Sequence, residues 1–156
     1  TPEDMVVALG AKPGSRIFLL HHERDRHLAR SLRRALLAID AEGVLPAPDG
    51  DPVDRLAYDK DSLRKCDAVA VCWGAASETW TLAQARQFND WRGFGRSNAW
   101  EPRSVVIAPP DDPIKDEFKE DPLPSDIDNL VELADVNSIP PDVLRRLLPH
   151  ARTAGP

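Results

Sequence analysis

Apolar positions along the chain fall into short blocks that alternate between two rhythms. Ser15-Arg16-Ile17-Phe18-Leu19-Leu20 is a nearly continuous apolar run, the pattern of a strand covered on both faces. It stops at His21-His22-Glu23-Arg24-Asp25, after which Leu28, Leu32, Ala35, Leu36 and Ile39 recur at helical spacing, with arginines largely on the other side and Gly43 as a stop signal. Val44-Leu45-Pro46-Ala47 predicts a weaker strand at a sheet edge, because Pro46 has no N–H for a ladder. After the turn-forming Pro48-Asp49-Gly50-Asp51-Pro52, the apolar Val53, Leu56, Ala57 and Leu63 predict a second helix ending near Lys65. Ala68 to Trp73 is the clearest central strand, and Ser77 is placed to cap a third helix over about 78–91, with Trp80, Ala83, Phe88 and Trp91 inward. Ser104 to Ala108 predicts a fourth strand, stopped by Pro109-Pro110, and residues 111–128 hold one short helix around 114–119. Leu130 to Leu133 reads as a fifth strand, and Pro141 opens a last helix with Val143, Leu144, Leu147 and Leu148 inward.

Five strands alternating with helices predict an α/β domain, because parallel neighbours need crossovers and the helices supply them. The expected fold is a flavodoxin-like five-stranded parallel sheet with helices on both faces. The whole chain has 156 residues, 42% of them apolar, which suits one core over residues 15–150 with a lead-in at 1–14 and a tail at 151–156. In such sheets ligands gather at the carboxyl ends of the strands, so residues 21–25, 49–51, 74–78 and 109–112 are expected around one crevice.

Charge and composition narrow the classes. A net charge of −6 argues against nucleic acid as a partner, and no apolar run is long enough for a membrane helix. Cys66 and Cys72 form no CxxC pair, and histidines stand only at 21, 22, 27 and 150, so neither a disulfide framework nor a metal site is expected. With no signal peptide and a first residue other than Met, the expectation is a cytoplasmic piece of a larger, multidomain protein. There is no GxxxxGK[ST] loop and no GxGxxG after the first strand, and Trp73-Gly74 stands where a receiver domain carries its acceptor Asp.

The strand ending at His21 with Asp25 four residues on, and Cys66-Asp67-Ala68-Val69-Ala70-Val71-Cys72-Trp73-Gly74 followed by Ser77 and Trp80, resemble a bacterial Toll/interleukin-1 receptor (TIR) domain. Ile107-Ala108-Pro109-Pro110 extends the resemblance, which spans roughly residues 15–150. It implies the same flavodoxin-like fold and one of two functions. The first is a signalling module of a bacterial defence protein that associates with itself or with other TIR-like domains. The second is an effector that takes NAD as substrate and cleaves its nicotinamide–ribose bond, without any bound cofactor. Members that cleave NAD carry a Glu four residues after a Trp on the third helix. Here that position is Gln84, which has no carboxylate to stabilise a cationic sugar centre, so the resemblance favours the interaction module. Glu78 or another crevice carboxylate is the substitute acid to consider, although a first-turn acid next to an N-cap, as Glu78 is, also has a structural use.

Around the expected crevice, His21, His22, Asp25, Trp73, Ser77 and Trp80 are the candidate ligand-binding residues. Histidines and Asp25 suit ribose or phosphate oxygens, and the indoles suit a planar ring; Asp25 and Ser77 are equally placed to cap helices, and Trp80 to pack in the core. Arg26, Arg30, Arg33 and Arg34 form a basic stripe whose i, i+4 neighbours repel, and residues 111–128 hold acids that would match it in a head-to-tail contact between copies.

Overall fold

The structure, a computed structural model, describes residue 12, residues 14–47 and residues 49–150. The expected lead-in up to residue 11 and the tail from 151 lie outside the described residues. Five strands, β1 (Arg16–His21), β2 (Glu42–Val44), β3 (Ala68–Trp73), β4 (Arg103–Ile107) and β5 (Asn129–Glu132), form one sheet in the order β2-β1-β3-β4-β5. Every pairing is parallel, with Ile17 opposite Gly43 on one side and Ala68 on the other. This is the flavodoxin-like order, and its topological switch point lies between β1 and β3.

The connecting helices are α1 (Arg26–Leu37), α2 (Pro52–Lys65), α3 (Glu78–Arg86), α4 (Pro113–Glu120) and α5 (Pro141–Leu147). Strand alternation divides the core between the two faces. Ile17, Leu19, Ala70, Cys72 and Val106 pack with Leu28, Leu32 and Leu36 of α1 and Val143, Leu144 and Leu147 of α5. Phe18, Val69, Val71, Trp73 and Val105 pack on the other face with Leu63 of α2, Ala85 of α3 and Phe118 of α4. All six residues of β3 are buried, as expected for a strand with helices above and below it.

Several boundaries differ from the sequence expectation. The stop residue of α1 is Asp40, which adopts φ 63° while the Ala41 N–H donates to the Leu36 carbonyl. Asp is one of the few side chains that tolerate this left-handed region, so Gly43 is released from the capping role. Gly43 instead lies inside β2, where a Cβ would stand 3.1 Å from Cα of Arg33 and 3.0 Å from Cδ1 of Leu19. The absent side chain is what lets α1 lie directly on the edge strand. β2 ends at Val44, before Pro46. α3 ends at Arg86 and continues as a short 3-10 turn; its inward residues are Thr81 and Ala85, whereas Ala83 is exposed. α2 buries only Ser62 and Leu63, leaving Val53, Leu56 and Tyr58 at the surface.

Candidate functional site

The four loops expected around a crevice do stand at the carboxyl end of the sheet, but the switch point is filled from within. Asp25, at the foot of α1, is only 6% exposed. Its carboxylate accepts hydrogen bonds from the backbone N–H groups of Gly74 (3.2 Å), Ala75 (2.7 Å) and Ala76 (3.1 Å), the loop that leaves β3. Three successive amides form an anion-binding concavity, and Asp25 occupies it. Asp25 stands at the N-cap position of α1 yet makes no side-chain cap there, so neither expected role holds: its oxygens are committed to the β3 loop.

Lys115 closes the other side. It is 1% exposed, and its ammonium donates to the carbonyl oxygens of Gly74 (2.6 Å), Ala108 (2.8 Å) and Pro110 (2.6 Å). Burial pushes its pKa below the ordinary lysine value, while Asp112, Asp25 and Asp111 pull it upward. A carboxylate on amides and an ammonium on carbonyls thus knit the loops after β1, β3 and β4 together.

The aromatic candidates are drawn into the same construction. Trp73 is buried, its indole N–H donates to the Ala76 carbonyl (2.9 Å), and its ring meets Phe118 edge-on at 5.3 Å. It has no free face for a ligand ring, which corrects its expected stacking role. Trp80 is half-buried, with the His22 ring edge-on at 5.6 Å. His22 Nδ1 accepts the Arg24 N–H (3.2 Å), so it caps the short turn before α1. Ser77 accepts the Trp80 N–H (3.0 Å) and caps α3. Glu78 is half-buried in the first turn of that helix, and Gln84 accepts a hydrogen bond from Gln87 (3.1 Å).

Open space lies instead at the β2 edge. A groove of about 850 Å³ runs between α1 and α2, over β2 and the loop that follows it. Its charged lining comes from Arg26, Arg30 and Arg33 of α1, Arg55 of α2, Glu23 and Glu42; His21 and Tyr58 also face it, and residues 44–47 supply an apolar strip. The spacing of the α1 arginines, at i, i+4 and i+7, puts them along one side of the helix. Arg34 falls outside this row, its guanidinium 3.5 Å from the Ser31 hydroxyl. Glu42 is engaged by Arg16 (3.1 Å). Among the described residues, none of the ion pairs includes Arg26, Arg30, Arg33 or Arg55, and Nε of Arg55 is buried without a hydrogen-bond partner.

Both the groove wall and His21 are fixed from behind. The Ala47 N–H donates to Asp59 (2.7 Å), tying the loop after β2 to α2, and Asp51 caps α2 through the Val53 N–H (2.9 Å). His21 Nδ1 lies 2.9 Å from the His22 carbonyl. A carbonyl only accepts, so Nδ1 carries a proton and donates it to the His22 carbonyl. Arg55 and Tyr58 had no place in the sequence reading; their helix was legible, but its position across the sheet edge from α1 was not.

The acidic stretch expected to match the arginines lies at the opposite edge, beside β5. There Lys119 pairs with Glu132 (2.8 Å) and Arg103 with Asp128 (3.0 Å). Both thiols are buried; burial pushes the Cys66 pKa up to about 12 and raises that of Cys72 as well. Among the described residues there is no group of His, Cys, Asp and Glu able to hold a metal ion, and no helix is long and apolar enough to cross a membrane.

Comparison with known proteins changes the family assignment. No family model matches the chain, and no curated protein matches it. Among solved structures it is similar to a 2-deoxyribosyltransferase from the psychrotolerant bacterium Bacillus psychrosaccharolyticus, with a TM-score of 0.46 and 12% identity over 88% of this chain and 100% of that one. The resemblance to TIR domains is therefore corrected: no family model, that of TIR domains included, matches the chain. The two functions that hung on the resemblance, the signalling and interaction module and the NAD-cleaving effector, fall with it.

Proposed function

We propose that this domain binds a phosphate-bearing small molecule in the groove between α1 and α2. The observation that carries the reading is the convergence of four guanidiniums, Arg26, Arg30, Arg33 and Arg55, on one groove with no carboxylate paired to any of them among the described residues. Like charges at i, i+4 on a helix cost stability, so an unneutralised row is an expense that an anionic ligand offsets. Arginine suits phosphate oxygens because its planar fork donates two parallel hydrogen bonds. The volume of about 850 Å³ falls in the range of small-molecule sites and is small for a nucleic-acid duplex.

The plugged switch point supports the same location. The three amides of the β3 loop are taken by Asp25 and the Lys115 ammonium donates to three carbonyls, whereas the arginines at the β2 edge have no ion-pair partner among the described residues.

Titration calorimetry with inorganic pyrophosphate tests the reading, with Arg30→Glu at the middle of the row as the control. Charge-assisted hydrogen bonds are worth about 1.5–3 kcal/mol, so the variant is expected to bind roughly 10- to 100-fold more weakly, with an unchanged circular dichroism spectrum. Absence of binding by the folded wild-type domain, or equal binding by the variant, overturns the proposal.

A further inference from the structure

The arrangement of the arginines within the groove specifies more than negative charge. Resting on the phosphate reading above, we infer that the ligand carries a linear chain of condensed phosphates, a diphosphate or longer, laid along α1.

Helix geometry makes the argument. At a rise of about 1.5 Å per residue, Arg26 and Arg33 are separated by about 10 Å along the axis, with Arg30 between them. All three line the groove from their own stations on α1, and Arg55 faces it from α2. Drawing three guanidiniums onto one phosphate would pull Arg26 and Arg33 toward each other against their repulsion. A row of phosphates meets each where it stands, and every added phosphate brings oxygens to the next guanidinium. Arg55, without an ion-pair partner among the described residues, adds a charge on the α2 side of the groove.

Tyr58, 56% exposed, stands on α2 one turn from Arg55 and offers a face to any ring that the phosphate chain carries. The shared chemistry is the condensed phosphate; it has two sources, the free inorganic chain and the end of a nucleoside triphosphate.

The experiment is a length series of orthophosphate, pyrophosphate and tripolyphosphate, titrated into the folded domain and into Arg26→Gln and Arg33→Gln, which trim the two ends of the row. Affinity is expected to rise at least tenfold with each added phosphate. Each end variant should lose about tenfold in tripolyphosphate affinity and a smaller factor in orthophosphate affinity, so that the gain with chain length shrinks. Binding of all three anions with equal affinity overturns this inference but leaves the phosphate reading standing, whereas no binding of any overturns both. Adenosine triphosphate beside tripolyphosphate, with Tyr58→Ala, separates the sources. Tighter nucleotide binding that the variant loses identifies the nucleoside triphosphate; equal binding identifies the free chain, and either result supports the inference. A single-stranded oligonucleotide binding more tightly than tripolyphosphate overturns it in favour of a nucleic-acid groove.

Discussion

Asp25 and Gly74 meet where two parallel strands diverge: the Gly74 N–H donates to Oδ2 of Asp25 at 3.2 Å, and a Cβ on residue 74 would run into that same carboxyl group. The loop leaving β3 is thus wrapped around a carboxylate that arrives from the loop after β1. Removing the carboxylate strands three amides. Asp25→Ala is expected to lower the unfolding free energy by about 3 kcal/mol, and Asp25→Asn by less, because its amide oxygen still accepts. Urea unfolding measures both. Sulfate in the buffer should restore more stability to the alanine variant than to the parent, since the emptied concavity then takes an anion from solution. Equal sulfate response in both proteins would show that the amides do not form an anion site.

Gly43 sets how closely α1 approaches the sheet. A methyl group there meets backbone at Arg33 and two leucine side chains, and the helix has to lift to admit it. Gly43→Ala is expected to destabilise the fold by about 1–3 kcal/mol, with a larger loss for Gly43→Val. Because Arg33 is displaced with the helix, both variants should also bind pyrophosphate more weakly, and calorimetry beside a thermal melt separates the two effects.

The β4–β5 edge carries a pH dependence of known sign. Asp128 accepts from Arg103 through the backbone N–H (2.8 Å), Nε (3.1 Å) and Nη2 (3.0 Å). Burial alone would push its pKa up, but these hydrogen bonds and the guanidinium charge together hold it below the ordinary carboxylate value. A carboxylate with a depressed folded-state pKa stabilises fully above its unfolded value, and the contribution is lost as pH falls through the folded one. Asp128→Asn is therefore expected to cost about 1 kcal/mol at pH 7. The gap between the melting curves of variant and parent should close as the pH is lowered below the carboxylate range. A gap that persists in acid would assign the loss to packing instead.

The sheet was readable from sequence because strands buried on both faces announce themselves as unbroken apolar runs, as at 17–20 and 68–73. Helix ends were less readable. Asp40 stops α1 in a conformation usually left to glycine, so the available glycine, Gly43, drew the assignment away from its real task against Arg33. The arginines of α1 were visible as a stripe, yet their partners Arg55 and Tyr58 come from a helix on the opposite face of the sheet, brought near only by β2 being an edge strand. Asp25 and Lys115 were hardest to place, because their partners are backbone amides and carbonyls, which have no residue type to search for. Lys115 left one trace: it stands three residues before Phe118, on the same buried side of α4.

The strand order also sets a schedule. β1 lies between β2 and β3, and Ile17 must wait for Ala68 before its second ladder closes. On a chain emerging from the ribosome, β1, α1 and β2 gather first and assemble one side of the arginine groove, while Asp25 has no amides to hold until residues 74–76 are made. Non-local pairing of this kind slows folding, because the loop must be closed before its contacts reward it. The Asp25 carboxylate therefore stays in water until the β3 loop that supplies its amides is in place.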